Sequence, residues 1–143
     1  MSQWVCSCLV LILFLTQVGF AQTKVSSEEI CAVGEVAVCA HLHFSSTPNS
    51  LSESSFLLHL KVPEDQSIEN LNVDLWMNME GSVGHGSAPV TIKKVSDNHF
   101  QISNAWFVMM GVWQVKINLL VSQQSYLVSQ QSYQISIPVL IKN

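Results

Sequence analysis

Two short segments of the chain combine methionine, histidine and glycine in a way that could hold a metal ion. The first contains Met77 and Met79 followed by Gly84-His85-Gly86, and the second contains Met109. Thioether sulfur is a soft, neutral ligand that favours Cu(I), and imidazole binds both Cu(I) and Cu(II). Zinc sites are built from other ligands than methionine, so this mixture indicates copper rather than zinc. The two glycines are expected to give a tight turn that exposes the ring of His85.

The resulting hypothesis is a copper site in which His85 is the nitrogen ligand. Met79 and Met109 are its thioether ligands, and Met77 is a supporting fourth ligand. Met110 points the opposite way from Met109 along an extended chain, so it is left out. Simpler explanations stay open, because methionine is an adaptable core filler and a histidine between glycines is commonly a solvated turn residue. Core packing alone would explain Met77 and Met79, which continue an apolar strand face.

Together these segments resemble the YtkA-like family of small exported proteins. The resemblance rests on the Gly84-His85-Gly86 loop and on a later Phe-x-Met-x-Gly-x-Trp pattern, and it covers roughly residues 71–119. The second pattern consists of Phe107, Met109, Gly111 and Trp113. The family usually has a methionine immediately before the loop, where this chain has Val83. The resemblance implies an immunoglobulin-like β-sandwich, an association with copper and a location in the bacterial periplasm.

Three further histidines occupy alternating positions on two predicted strands. His41 and His43 point outward from the first strand, and His59 points outward from the next. If these strands pair, the three rings form a surface cluster suited to Cu(II) or Zn(II). Separate, solvated histidines are the other interpretation, because strand neighbours do not follow from sequence alone. For His99 the sequence identifies no partner.

Patterns typical of catalytic sites are missing from the sequence. It contains no Gly-x-Ser-x-Gly elbow, no His-Glu-x-x-His motif and no Gly-Lys-Ser/Thr phosphate loop. Its ten carboxylates are scattered, and its six Lys and Arg residues with a net charge of −4 leave no basic surface for nucleic acid. We therefore expect no enzyme, no nucleic-acid partner and no small-molecule substrate. The partner expected of a copper carrier is a copper-receiving or membrane protein.

Strands, rather than helices, are expected to position the candidate ligands. Apolar and polar residues alternate with the period of two that a half-buried strand requires, and no window has helical periodicity. The predicted strands lie at residues 38–44, 56–62, 73–79, 90–95, 99–103, 113–119 and 133–141. About seven short strands separated by turn signals predict an all-β sandwich domain over residues 36–143.

An unusual duplication precedes the last predicted strand. Residues 120–126 are repeated without change as residues 127–133. Because the offset is an odd number of residues, an insertion inside a paired strand would exchange its inward and outward faces. We expect the duplication to lie in the turn between the last two strands, where extra length costs little.

The N-terminal region predicts export. Residues 1–21 carry no charged side chain, and an apolar run within them ends in small residues. This run is shorter than the roughly 20 apolar residues that cross a bilayer, so residues 1–21 are interpreted as a signal peptide, with an uncleaved membrane anchor as the alternative. Residues 22–35 are expected to form a linker segment. The protein is then secreted or periplasmic.

Two cysteines remain after the predicted signal peptide. In an exported domain, Cys31 and Cys39 most simply form one disulfide, which would tie the N-terminal segment to the first strand. A thiolate metal site and a redox pair are the alternatives. The spacing differs from the Cys-x-x-Cys arrangement that lowers a thiol pKa, which favours the structural bridge.

Overall fold

The computed structural model describes residues 25–32, 34, 37–79, 84–123 and 129–143, and it confirms the predicted all-β fold. The strands in these ranges are β1 (Val25–Ser26), β2 (Ile30–Ala32), β3 (Val38–Phe44), β4 (Ser54–Lys61), β5 (Gln66–Asn78), β6 (Gly84–Gly86), β7 (Thr91–Ser96), β8 (His99–Ala105), β9 (Gly111–Gln123) and β10 (Gln130–Ile141). The described ranges contain no helix long and apolar enough to cross a membrane. The predicted signal peptide falls outside them.

The strands form two antiparallel sheets that pack face to face. The first sheet has the order β1-β3-β4-β8-β7, with β2 also paired to β3, and the second has the order β10-β9-β5-β6. The described residues form three more strands than the seven that the sequence predicted, and these three are the short strands β1, β2 and β6. Two of them lie in the segment predicted as a linker, where Val25 pairs with Phe44 and Ile30 with Ala40. Both segments are strands because their backbone groups form hydrogen bonds with β3.

The alternation seen in the sequence decides which face each strand buries. Along β3 the four apolar positions are buried, and along β9 every second residue from Trp113 to Val121 is buried. The inward faces of both sheets form one continuous core. Fully burying one such aliphatic or aromatic side chain contributes about 1.5–3 kcal/mol, so this alternation is the main source of the sandwich's stability.

Aromatic residues connect the two sheets at one end of the sandwich. Phe107 lies between them, with its ring centroid 6.3 Å from that of Phe44 in the first sheet and 5.6 Å from that of Trp113 in the second. Phe107 and Trp113 are almost completely buried. The first and last residues of the Phe-x-Met-x-Gly-x-Trp pattern are therefore core residues that fix the segment between them.

The duplicated segment flanks the connection between β9 and β10. The first copy begins within β9 and the second copy ends within β10, where Leu120 pairs with Ser132 and Ser122 pairs with Gln130. Residues 124–128 lie outside the described ranges. The described parts of both copies thus extend the β9–β10 ladder, whereas the sequence predicted that they would belong to the turn.

The predicted disulfide between Cys31 and Cys39 is present, with the two sulfurs 2.06 Å apart. The two cysteines face each other in the β2–β3 pair. The bridge therefore ties β2 to the sandwich, as expected. Next to it, the exposed side chains of Glu29 and Lys61 form an ion pair.

Candidate metal site

Two of the predicted ligands are cross-strand neighbours. His85 pairs with Met77 in the antiparallel β5–β6 ladder, and Met77 pairs with Trp113 in the β5–β9 ladder. Residues that face each other in this way project from the same side of the sheet, with their Cβ atoms about 4.5–5.5 Å apart. Because Trp113 is completely buried, this side is the one that faces the core. Met77 is half-buried and His85 is exposed, so the pair lies at the solvent boundary of the core.

Met109 belongs to the same end of the second sheet. Its carbonyl oxygen accepts a hydrogen bond of 2.9 Å from the indole nitrogen of Trp113, the residue that faces Met77. The Met109 side chain packs partly buried against the core, whereas Met110 is 57% exposed. The prediction that Met109 and Met110 point in different directions agrees with this difference in exposure.

Met79 lies one residue beyond the end of β5 and is 42% exposed. Its position along the chain places it at the same end of β5 as Met77. Residues 80–83, which connect it to β6, lie outside the described ranges. The structure therefore brings His85, Met77 and Met109 to one end of the second sheet, and it leaves Met79 on the solvent side.

The side chain of Met77 leaves no room for a side chain at position 111, so this position requires glycine. The sequence alone did not predict this role for Gly111. Gly111 has a φ of +130°, which side chains disfavour, and a Cβ there would lie 2.5 Å from the Cε atom of Met77. The thioether of Met77 therefore reaches across the sheet to the start of β9. The signal in the sequence was the place of Gly111 in the Phe-x-Met-x-Gly-x-Trp pattern, two residues after Met109 and two before Trp113.

The Gly84-His85-Gly86 segment is a strand, which corrects the prediction of a tight turn. Gly86 pairs with Trp76, and a Cβ on Gly84 would overlap the Trp76 indole ring. Gly84 thus makes room for the indole on the outer face of the sheet, whereas a Cβ on Gly86 would only touch it. His85, between them, projects from the opposite face because side chains alternate along a strand.

Trp76 itself is held over the glycines by polar contacts. Its indole nitrogen donates a hydrogen bond of 3.0 Å to the Oδ1 atom of Asn78, and the Nζ atom of Lys116 lies 4.7 Å from the ring centroid. The latter distance is typical of a cation–π contact. This arrangement keeps β6 against β5 and thereby positions His85.

The other histidines lie on the outer face of the first sheet, where their rings meet in two pairs on neighbouring strands. His41 pairs with His59 across β3 and β4, and His59 pairs with His99 across β4 and β8. The rings of His59 and His99 are stacked, with centroids 4.3 Å apart and an interplanar angle of 8°. The ring of His43 meets that of His41 edge-on at 4.2 Å. His99, which had no identifiable partner in the sequence, is thus part of the cluster.

The surroundings of the central histidine favour its neutral form. Burial lowers the pKa of His59, and electrostatic interactions with His99, Lys61 and His41 lower it further. The carboxylate of Glu29 opposes this effect. An imidazole that stays neutral keeps a nitrogen lone pair available for a ligand bond.

Cysteine ligation is the third arrangement to consider. Among the described residues, Glu29, Cys31 and Cys39 form a group of three whose candidate ligand atoms lie within 4.8 Å of one another. However, the two sulfurs are bonded to each other, so neither is a thiolate. This group is therefore a structural bridge beside an ion pair.

Comparisons of the chain with protein-family models, with curated proteins and with solved structures gave no match.

Proposed function

We propose that the protein binds copper outside the cytoplasm and carries, delivers or sequesters it for a copper-receiving or membrane protein partner. In this proposal His85 supplies the nitrogen ligand, and Met77, Met79 and Met109 supply thioether ligands. The observation that carries the proposal is the pairing of His85 with Met77 across β5 and β6. The immunoglobulin-like class and the relationship to the YtkA-like family form part of the same proposal.

The chemistry of these residues suits Cu(I). Thioether and neutral imidazole ligands add no negative charge, and a soft monovalent ion accepts such a set more readily than a hard divalent ion. Met77 and Met109 are partly buried against the apolar core, while His85 and Met79 face solvent. One side of the bound ion would thus be shielded, and the other would stay accessible for transfer to a partner.

Competition titration with Cu(I) under anaerobic conditions tests the proposal. The purified protein is titrated against a chromogenic Cu(I) chelator, alongside the variants His85→Asn and Met77→Leu. Leucine keeps the volume and apolar character of methionine but removes the sulfur. We expect each variant to bind Cu(I) at least about tenfold more weakly, since even the outer-shell partners of metal ligands affect affinity by 10–100-fold.

Met110→Leu is the matched control, because Met110 is an exposed methionine next to the site that the proposal leaves out. It should bind Cu(I) as the wild type does. The proposal fails if the wild type binds no tighter than His85→Asn, or if all three variants lose the same affinity.

A protein-interaction module without metal is the second candidate, and several exposed apolar side chains on and next to β9 and β10 favour it. Val112 and Leu140 face each other across β9 and β10 and are 51% and 55% exposed. Trp106, Val108 and Met110 are also exposed in the segment that precedes β9. Exposed apolar patches of this kind commonly mark interaction sites. Equal Cu(I) affinities of wild type and His85→Asn would favour the protein-interaction module over the copper site.

A further inference from the structure

We propose that His41, His43, His59 and His99 form a second metal site on the outer face of the first sheet, for a divalent ion that prefers imidazole, Cu(II) ahead of Zn(II). This inference does not depend on the methionine site, which lies on the second sheet. It rests on the register of three adjacent strands, on the contacts between the rings and on the hydrogen bonds that hold two of them.

The register places three histidines in a row. β4 is the central strand, with His59 facing His41 on one side and His99 on the other. Neighbouring strands are about 4.8 Å apart, so the three side chains leave the same face at that spacing. His43 lies two residues from His41 and therefore joins the row from the same face. Four imidazoles thus leave the same face of three adjacent strands as two ring pairs, His41 with His43 and His59 with His99. Among the described residues these histidines are not a group of three with all ligand atoms within 4.8 Å of one another, so a metal ion would have to draw the two pairs together.

Hydrogen bonds hold two of the rings by one nitrogen each. The Nδ1 atom of His99 lies 2.9 Å from the carbonyl oxygen of Asp97. A carbonyl can only accept, so this nitrogen is the protonated one and the lone pair of a neutral ring is on Nε2. The Nε2 atom of His41 lies 2.6 Å from the hydroxyl of Ser26, which leaves Nδ1 as its second nitrogen. Metal-binding histidines are typically oriented by hydrogen bonds of this kind.

Binding requires the stacked rings to turn. The lone pair of an imidazole lies in the ring plane, so two parallel rings cannot both direct their nitrogens at one ion. The rings of His59 and His99 are nearly parallel and must therefore rotate about their side-chain torsions. Both residues are only half-buried, and rotamer changes at a protein surface take picoseconds to nanoseconds. The backbone, which sets the spacing, does not have to move.

The donor atoms select the ion. An all-imidazole set suits Cu(II), Zn(II) and Ni(II), and among these the order of affinities places Cu(II) first. No thioether lies in the row, so Cu(I) has less to gain there than at the methionine site. The carboxylate of Glu29, which is paired with Lys61, interacts electrostatically with His41 and His59 and supplies a balancing negative charge beside the row.

Cu(II) titration of the purified protein against a competing chelator tests the site, with electron paramagnetic resonance to count the coordinated nitrogens. We expect one Cu(II) with several nitrogen ligands, and a Zn(II) affinity lower than that for Cu(II). The variant His59→Asn removes the central ligand and should weaken Cu(II) binding at least about tenfold. Met110→Leu, which changes an exposed residue outside both candidate sites, should bind Cu(II) as the wild type does.

Independent surface histidines would behave differently. They would each bind weakly, and the removal of one would reduce the number of sites without changing the affinity of the rest. This result overturns the proposal.

The metal-free unfolding temperature shows whether His59→Asn still folds. If it does not, the double variant His41→Asn/His99→Asn keeps the central strand unchanged and should show the same loss, and wild-type affinity in this variant also overturns the proposal.

Discussion

The terminal methyl group of Met77 lies across the backbone of Gly111, in the space that a β-carbon would need. This contact joins the two segments that the sequence singled out, because Met77 precedes the Gly-His-Gly strand and Gly111 follows Met109. The thioether thus lies over the start of β9, at the end of the second sheet that also carries His85. The absence of a side chain at Gly111 is therefore a structural requirement of the candidate copper site.

Replacing Gly111 by alanine should both destabilise the protein and displace Met77. The residue has a φ of +130°, and a non-glycine residue in such a region costs about 1–3 kcal/mol. The added methyl group would also push the Met77 side chain away. We expect a lower free energy of unfolding in urea and weaker Cu(I) binding.

Gly86→Ala is the matched control for this change. A Cβ on Gly86 would lie 3.4 Å from the nearest atom of Trp76, which is an ordinary contact. This variant should unfold within about 0.5 kcal/mol of the wild type. Equal stabilities of Gly86→Ala and Gly111→Ala would contradict the role assigned to Gly111.

The packing of Trp76 on Gly84 leads to a second prediction. A Cβ on Gly84 would overlap the indole ring, so Gly84→Ala should force β6 away from β5 and cost about 1–3 kcal/mol, the usual range for overpacking. Since β6 carries His85, Cu(I) binding should weaken as well. Chemical denaturation and the Cu(I) competition titration measure the two effects.

A double-mutant cycle isolates the contact. In a Trp76→Ala background the indole is gone, so adding Gly84→Ala should cost far less than it does in the wild type. The same cost in both backgrounds would show that the strain lies in the backbone of β6 and not in its contact with Trp76.

The sequence predicted the strands well because the alternation of apolar residues is a local property. Leu58 and Leu60, for example, are buried and His59 is not, as their spacing indicates. The order of the strands in each sheet was harder to predict from the sequence, because it depends on which apolar strand faces pack against each other. β6 illustrates this limit: three residues are too few to show an alternation, and only the pairing with β5 makes them a strand.

The same distinction applies to the candidate sites. Met77 and His85 are separated by a short connection, so their proximity could be expected. His99 is far from His59 in the sequence, and it joins the histidine row only because β8 pairs with β4. Gly111 could be recognised as part of a pattern, but the reason for it, the side chain of Met77 above it, became visible only in the folded chain.

Removal of the disulfide should loosen β2 without unfolding the sandwich. The bridge between Cys31 and Cys39 closes a short loop, and the loop-entropy relation gives about 2–3 kcal/mol for a loop of this length. We expect the double variant Cys31→Ala/Cys39→Ala to lose this amount in urea denaturation. Reduction of the wild type with dithiothreitol should reproduce the loss, and an unchanged midpoint in both experiments would contradict a stabilising role.

Glu69 is the residue at the irregularity in the β5–β9 pair, between Ile68 and Asn70. Its Oε1 atom accepts hydrogen bonds from the hydroxyl of Ser122, at 2.5 Å, and from that of Ser67, at 3.0 Å. These two hydrogen bonds, that from Ser122 first, lower the pKa of the Glu69 carboxyl group. The carboxylate form is thus the one that the folded protein stabilises.

The stability of the protein should therefore depend on pH through this group. Because the pKa of Glu69 is lower in the folded protein, its contribution is fully present above the ordinary value of 4.5 and is lost as the pH falls through the lowered pKa. Glu69→Gln should accordingly melt at a lower temperature than the wild type at pH 7, and the difference should shrink on acidification below pH 4.5. Glu64→Gln, in the loop after β4, controls for the loss of one negative charge. A difference between wild type and Glu69→Gln that stays constant from pH 7 to pH 3 would mean that the serine hydroxyls do not stabilise the charged form.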